Sequence, residues 1–256
     1  GATPVLHPTP LQSSTTDGPV ARGSQTVYYT SLGWRFPNKR MGDLFPLESM
    51  GETAENLAEQ MSISREDQDK FALESHQKAL KAEADGKFED ERIPITIPQG
   101  KGETLIAEKD EAPRPDASLA KLAKRTPAFR KNGTVTAGNS SPLNDGAAAL
   151  LVTSDAWARS HGLAPLARVR ASAVAGVPPR IMGIGPAPAA RKALERARLG
   201  FGDLAVIELN EAFAAQSLAV LAGWGLPSDD PRVNPDGGAI ALGHPLGCSG
   251  ARILTT

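Results

Sequence analysis

The 256 residues carry 28 basic and 29 acidic side chains, a net charge of −1, and 40% hydrophobic content. That balance gives no general pull toward nucleic acid or an anionic membrane, and no apolar run approaches the ~20 residues of a membrane helix. The single cysteine excludes an internal disulfide and fits a reducing compartment, so a cytoplasmic location is expected.

Residues 1–26 are rich in Pro, Ser, Thr and Gly, which predicts loop or disorder, without the basic flank and apolar segment of a signal peptide. Tyr28 to Phe36 groups aromatic residues around Gly33 and is expected to be ordered. Glu52–Met61 reads as a helix. A second starts after Ser64, with Asp67 completing a capping box, and carries a small-residue face of Ala72, Ser75, His76 and Ala79 before stopping at Asp85-Gly86. Ile93 to Ile97 alternates with period two, but Pro94 and Pro98 confine it to an edge. Glu103–Ala107 is a second extended piece, and Ser118 caps a short helix ending before Pro127.

Composition then changes. Ala147–Val152 and Leu166–Val174 read as strands, Asp155–Ser160 and Pro188–Arg198 as helices. Strand Leu204–Leu209, helix 212–224 and a wholly apolar strand Ala239–Leu242 follow. This β-α-β-α order predicts a mainly parallel, doubly wound sheet, an α/β fold. The chain starts without Met and stops at Thr256 inside a helix just begun, so a longer polypeptide is expected.

The candidate chemistry lies at two strand ends. His244 stands between Gly243 and Pro245 in a glycine-rich turn, where a ligand crevice is expected, and Ser249 is a candidate N-cap for the helix that follows. Asn210 closes the preceding strand. It serves either as N-cap of the next helix or as an amide that positions a water or a substrate oxygen. Glu211 is most simply explained by the helix dipole. Cys248, beside a helix start but crowded by small residues, reads as packing rather than as a nucleophile. The histidines at 7, 76, 161 and 244 share no metal-ligand spacing, and no Gly-x-Ser-x-Gly elbow is present.

Asn210-Glu-Ala-Phe213 followed by Gly237-Gly-Ala-Ile-Ala-Leu-Gly-His244-Pro-Leu-Gly-Cys-Ser-Gly-Ala-Arg252 resembles the thiolase family of acyl-CoA C-acyltransferases. The likeness extends through Met50-Gly-Glu-Thr-Ala-Glu-Asn56, Ser64-Arg-Glu-Asp-Gln-Asp69, Gly133-Thr-Val-Thr-Ala-Gly-Asn-Ser-Ser141, Asn144-Asp-Gly-Ala-Ala148 and Gly176-Val-Pro-Pro-Arg-Ile-Met-Gly-Ile-Gly-Pro186, about residues 31 to 256. The resemblance implies an incomplete αβαβα layered fold. Residues 27–130 would be the loop domain, 131–165 would close the N-terminal half, and 166–256 would form part of the C-terminal half, with 1–26 unassigned.

It further implies cleavage of a 3-ketoacyl-CoA by CoA, or the reverse condensation, through a thioester enolate whose oxygen needs preorganised donors. His244 and a water held by Asn210 would supply them. No cofactor or metal is implied; coenzyme A is a substrate. Ser141 would meet the pantetheine amide, Ala137, Phe129, Phe213 and Met182 would line the tunnel, Met50 the acyl pocket, and Arg114 would stack on adenine. Ser49, where acetoacetyl-forming members often carry His, and Val177-Pro-Pro-Arg180 tilt the reading toward a degradative enzyme of fatty acid β-oxidation, assembled as a homodimer or homotetramer. The family's nucleophilic and acid/base cysteines match no residue here, so the 256 residues alone are expected to be inactive. The alternative is a non-catalytic, CoA-binding thiolase-like module.

Overall fold

The computed structural model describes residues 6–8 and 27–29 by their backbone and residues 38–256 in full. Strands β1 (Leu6–Pro8) and β2 (Val27–Tyr29) pair antiparallel, with His7 opposite Tyr28. The loop or disorder expected over residues 1–26 is corrected at β1; the rest of that stretch, and most of Tyr28–Phe36, lie outside the described residues. Helix α1 (Lys39–Leu44), capped by Asn38, had no counterpart in the sequence expectation.

Helices α2 (Met50–Gln60) and α3 (Arg65–Ala84) start where a serine hydroxyl takes an orphan backbone amide: Ser49 from Glu52 and Ser64 from Asp67. The small face expected on α3 is buried at Ala72, Ser75, His76 and Ala79, and the helix ends at Asp85 with Gly86 at φ +73°. Strands β3 (Ile95–Gly100) and β4 (Glu103–Ala107) form an exposed antiparallel hairpin, Ile95 opposite Ala107, with an irregularity at Pro98. Helix α4 (Leu119–Ala123) has the predicted Ser118 cap, and α5 (Asp155–Ser160) is capped by Ser154.

Two strand expectations are corrected at the level of the element. Residues 147–152 and 166–174 run through irregular backbone and join no ladder among the described residues. Residues 204–209 make a single parallel bridge, Ile207 to Val233. An extended segment needs a neighbour to accept its hydrogen bonds, and an apolar pattern does not provide one.

The remaining helices are α6 (Pro186–Ala197), which ends on Arg198 in the left-handed region, α7 (Ala214–Trp224), α8 (Ala239–Leu242) and α9 (Ser249–Thr255). A short 3-10 helix, Pro179–Ile184, lies against α2 and α7, while α3 packs on α8, α7 and α4. The main core gathers Phe71, Leu122, Ile207, Leu209, Leu218, Leu221, Trp224 and Ile240 around α7, nearly every residue of which is buried. None of the described helices is long and apolar enough to cross a membrane.

The strand expected at Ala239–Leu242 is thus a helical turn. A four-residue apolar run carries no period to separate strand from buried helix, so tertiary contacts decide. The Gly238 amide donates to Ser75 Oγ (3.2 Å) and the Ile240 amide to Glu211 Oε2 (3.2 Å), which satisfies amides that a helix start leaves free.

Candidate active site

The site is assembled from two loops held by buried carboxylates. Residues 206–211 alternate in burial: Ile207, Leu209 and Glu211 face inward, Val206 is exposed, and Asn210 is half-buried. The helix dipole is not what explains Glu211. It precedes α7 by three residues and is fully buried, accepting from Ser75 Oγ (2.6 Å), Asn234 Nδ2 (2.7 Å) and the Ile240 amide. Burial pushes its carboxyl above the ordinary glutamate range, against the lowering effect of these donors. A Cβ on Gly238 would lie 2.1 Å from the Glu211 carboxyl carbon, so only glycine lets the chain pass there.

Glu211 therefore ties the strand that ends in Asn210 to the turn that leads into His244. Asn210 is not a helix cap: Phe213 holds that position, and the amide is left for other use. Asn210 Nδ2 stands 3.4 Å from His244 Nε2, across thirty-four positions of sequence. Asn210 Oδ1 is buried and makes no hydrogen bond among the described residues.

Three further contacts fix His244. Its backbone amide donates to Asn144 Oδ1 (2.9 Å), its Nδ1 lies 2.6 Å from Ser249 Oγ, and Ser249 Oγ donates to Pro245 O (3.1 Å). Gly243, at φ +103°, brings the backbone so close to Asn144 that a Cβ would stand 2.4 Å from that amide nitrogen. Burial, with the positive charge of Arg252, holds the imidazole below its ordinary pKa. Both effects favour the neutral ring over the charged one.

The sequence reading missed Ser249 and Asn144 as partners of the imidazole. The N-cap expected at Ser249 is corrected: Cys248 holds that position without a side-chain capping bond, and the serine hydroxyl turns back to the histidine. Cys248 is buried, as a packing thiol would be. A polar residue one helical turn past a loop histidine was the available signal, outweighed there by the commoner capping role of serine.

Of the expected ligand-lining residues, several converge. The Ser141 amide donates to Ala212 O (3.0 Å), Ser140 bridges to Phe213, and the Phe129 and Phe213 rings meet edge to face at 5.9 Å. The loop carrying Ser141 is pinned by Glu55, which accepts the Thr134 and Val135 amides, and by Asp69 through Asn139. Met50 is the first residue of α2, and Met182 lies on the 3-10 helix against α2; both are half-exposed, and Ala137 is exposed. Arg114 is exposed and anchored through its backbone amide to His76 Nδ1 on α3 (3.2 Å), and no described contact joins it to the Asn210–His244 pair.

The thiolase N-terminal domain matches residues 33–156, and the thiolase C-terminal domain matches residues 163–256. The chain belongs to the thiolase family. It is 54% identical over 227 residues to the 3-oxoadipyl-CoA/3-oxo-5,6-dehydrosuberyl-CoA thiolase of Escherichia coli, covering 89% of this chain and 57% of that protein. A probable acetyl-CoA acyltransferase of Staphylococcus aureus is 53% identical over 84% of this chain and 54% of its own length. Among solved structures, the Bacillus anthracis acetyl-CoA acetyltransferase superposes with a TM-score of 0.79 at 48% identity, over 89% of this chain and 58% of that one. Human mitochondrial 3-ketoacyl-CoA thiolase gives 0.81 at 39% identity, over 98% and 60%. The fold is therefore the thiolase α/β fold, and this chain spans less than two thirds of its relatives' length.

Proposed function

We propose that the protein carrying this chain is an acyltransferase that cleaves 3-ketoacyl-CoA with CoA, or condenses acyl-CoA in reverse. One observation carries the reading: an amide and an imidazole, Asn210 and His244, meet at 3.4 Å beside a buried, unpartnered amide oxygen. A neutral imidazole can take the proton of a thiol at Nε2 and then present that N–H to a thioester oxygen. A water on the free Asn210 Oδ1 would supply a second donor as charge develops on that oxygen. The names of the relatives add 3-oxoadipyl-CoA, an acid-ended member of the same substrate class.

Cys248 is buried at the start of α9, so the acyl-carrying thiol of this scheme is another cysteine. Ser141, Phe129 and Phe213 would hold the pantetheine arm, Met182 and Ala137 would extend that wall, Met50 would border the acyl group, and Arg114 would contact the nucleotide end. The proposal extends to a cytoplasmic homodimer or homotetramer working in fatty acid β-oxidation or related breakdown, without metal and with CoA as substrate rather than resident cofactor. The test is CoA-dependent cleavage of acetoacetyl-CoA and 3-oxoadipyl-CoA by the full-length protein. His244→Ala is expected to lower turnover by about 10²–10³, the loss typical of one oxyanion donor. Unchanged turnover removes His244 from the chemistry. CoA binding without cleavage by that protein favours the second reading, a CoA-binding module, which the burial of the only thiol in this chain supports.

A further inference from the structure

Ser249 lies outside the chemistry assigned so far, yet it touches the imidazole more closely than any other group. Its hydroxyl oxygen is 2.6 Å from His244 Nδ1 and 3.1 Å from the Pro245 carbonyl, and the residue is buried. A serine hydroxyl has one proton, and a carbonyl can only accept. With that proton on Pro245 O, the short contact to the ring requires Nδ1–H as donor. Nε2 then keeps its lone pair, facing an Asn210 amide group that can donate to it at 3.4 Å.

The opposite arrangement fails at Asn210. A hydroxyl turned to Nδ1 leaves the Pro245 carbonyl to the Cys248 and Ser249 amides (2.8 and 3.0 Å), but it sets Nε2–H against the Asn210 NH₂ group, donor to donor. Reversing the amide would relieve that clash, but it would bury two N–H donors where one acceptor oxygen now lies unpaired. The first arrangement gives each ring nitrogen one complementary partner and leaves Asn210 Oδ1 free for a water.

We propose that Ser249 is a positioning residue that locks His244 in its Nδ1–H form and so keeps Nε2 unprotonated at rest. The tautomer of a histidine is set by the bond its other nitrogen makes, and here that bond goes to a fixed hydroxyl. The consequence for chemistry rests on reading His244 as the proton carrier. A thiol's S–H bond breaks, its proton moves to Nε2, and the electron pair stays on sulfur as thiolate. The ring becomes the cation with N–H at both nitrogens. Its Nδ1–H remains bonded to Ser249, and its new Nε2–H is the donor an enolate oxygen needs. No rotation of the ring is required between the two roles.

The test needs no catalysis. Two-bond ¹H–¹⁵N spectra of the ¹⁵N-histidine-labelled chain report which ring nitrogen carries the proton, and His244 is assigned by the signals lost in His244→Asn. The wild-type chain is expected to show a protonated Nδ1 and a bare Nε2 above the imidazole pKa. Ser249→Ala, which leaves Nδ1–H without its acceptor, is expected to let the Nε2–H form that free histidine favours in water appear, and Ser249→Thr to restore the wild-type pattern. A wild-type chain showing mainly Nε2–H, or the mixture of an unfolded peptide, overturns the assignment, as does a folded Ser249→Ala chain with an unchanged spectrum. Should Ser249→Ala fail to fold, the wild-type and Ser249→Thr spectra decide alone. In an active full-length protein, Ser249→Ala is expected to lower kcat with KM retained. Expected spectra combined with no thiolytic activity would sink the proposed reaction and leave the Ser249 assignment standing.

Discussion

His244 is a base made usable by its surroundings. Burial and Arg252 both disfavour its charged form, so the neutral ring persists to lower pH than in an exposed histidine. The acidic limb of kcat/KM for the full-length protein is therefore expected below the ordinary imidazole value, and Arg252→Gln should move it upward. A limb that stays in place in this variant would remove Arg252 from the field at the ring. Glu208 behaves in the opposite sense. Burial, with Glu211 adding, pushes its carboxyl up to about 7 even though Arg252 stands 4.0 Å away. The two charges are close without a hydrogen bond between them, since both Glu208 Oε2 and the Arg252 nitrogens lack partners among the described residues. A carboxyl with a raised native pKa binds protons more tightly folded than unfolded. Its contribution is full below the unfolded value of 4.5 and is lost as pH rises toward 7. Urea unfolding at pH 5 and pH 8 should show a pH penalty in the wild type that Glu208→Gln removes, up to about 3 kcal/mol. Equal pH dependence in the two proteins would show that Glu208 does not set it.

At the scale of elements, buried polar contacts do what local propensity does elsewhere. Helices α3 and α4 were legible through the serines that cap them, a signal contained within four residues, whereas the Ser49 and Ser154 caps of α2 and α5 went unread. Helix α8 was not legible, because the groups that stabilise its first turn, Ser75 and Glu211, come from 163 and 29 residues away. The same Glu211 explains why the sequence pointed correctly to Asn210 and His244 as neighbours while misplacing the element between them. Gly238 is the point where this anchoring is tightest. Gly238→Ala forces a methyl group into the Glu211 carboxyl, and overpacking of that kind is expected to cost about 1–3 kcal/mol. Because Glu211 also orders the approach to Asn210, CoA-dependent activity of the full-length protein should fall along with the midpoint of thermal unfolding. Wild-type stability in Gly238→Ala would mean the loop relaxes without cost.

Across the whole molecule, the core is built from helices that bury both apolar faces and carboxylates, and two segments leave their apolar side chains outside it. Leu150, Leu151, Val152, Leu166, Val169 and Val174 belong to the two segments whose composition reads as buried strand, yet each is exposed and Leu166 completely so. The pattern recorded in these residues is that of strands within a sheet, and pattern alone does not supply the ladder partner that would turn them inward. Exposed apolar segments that join no ladder among the described residues are a template for association. The 256-residue chain alone is therefore expected to bind a hydrophobic dye and to elute above its 26.8 kDa mass in size-exclusion chromatography. Leu151→Lys with Val169→Lys places one charge on each segment without touching the Asn210–His244 pair, and should reduce both effects while leaving the tautomer spectrum of His244 unchanged. A monomeric, dye-silent wild-type chain would show instead that these segments find partners within the chain itself.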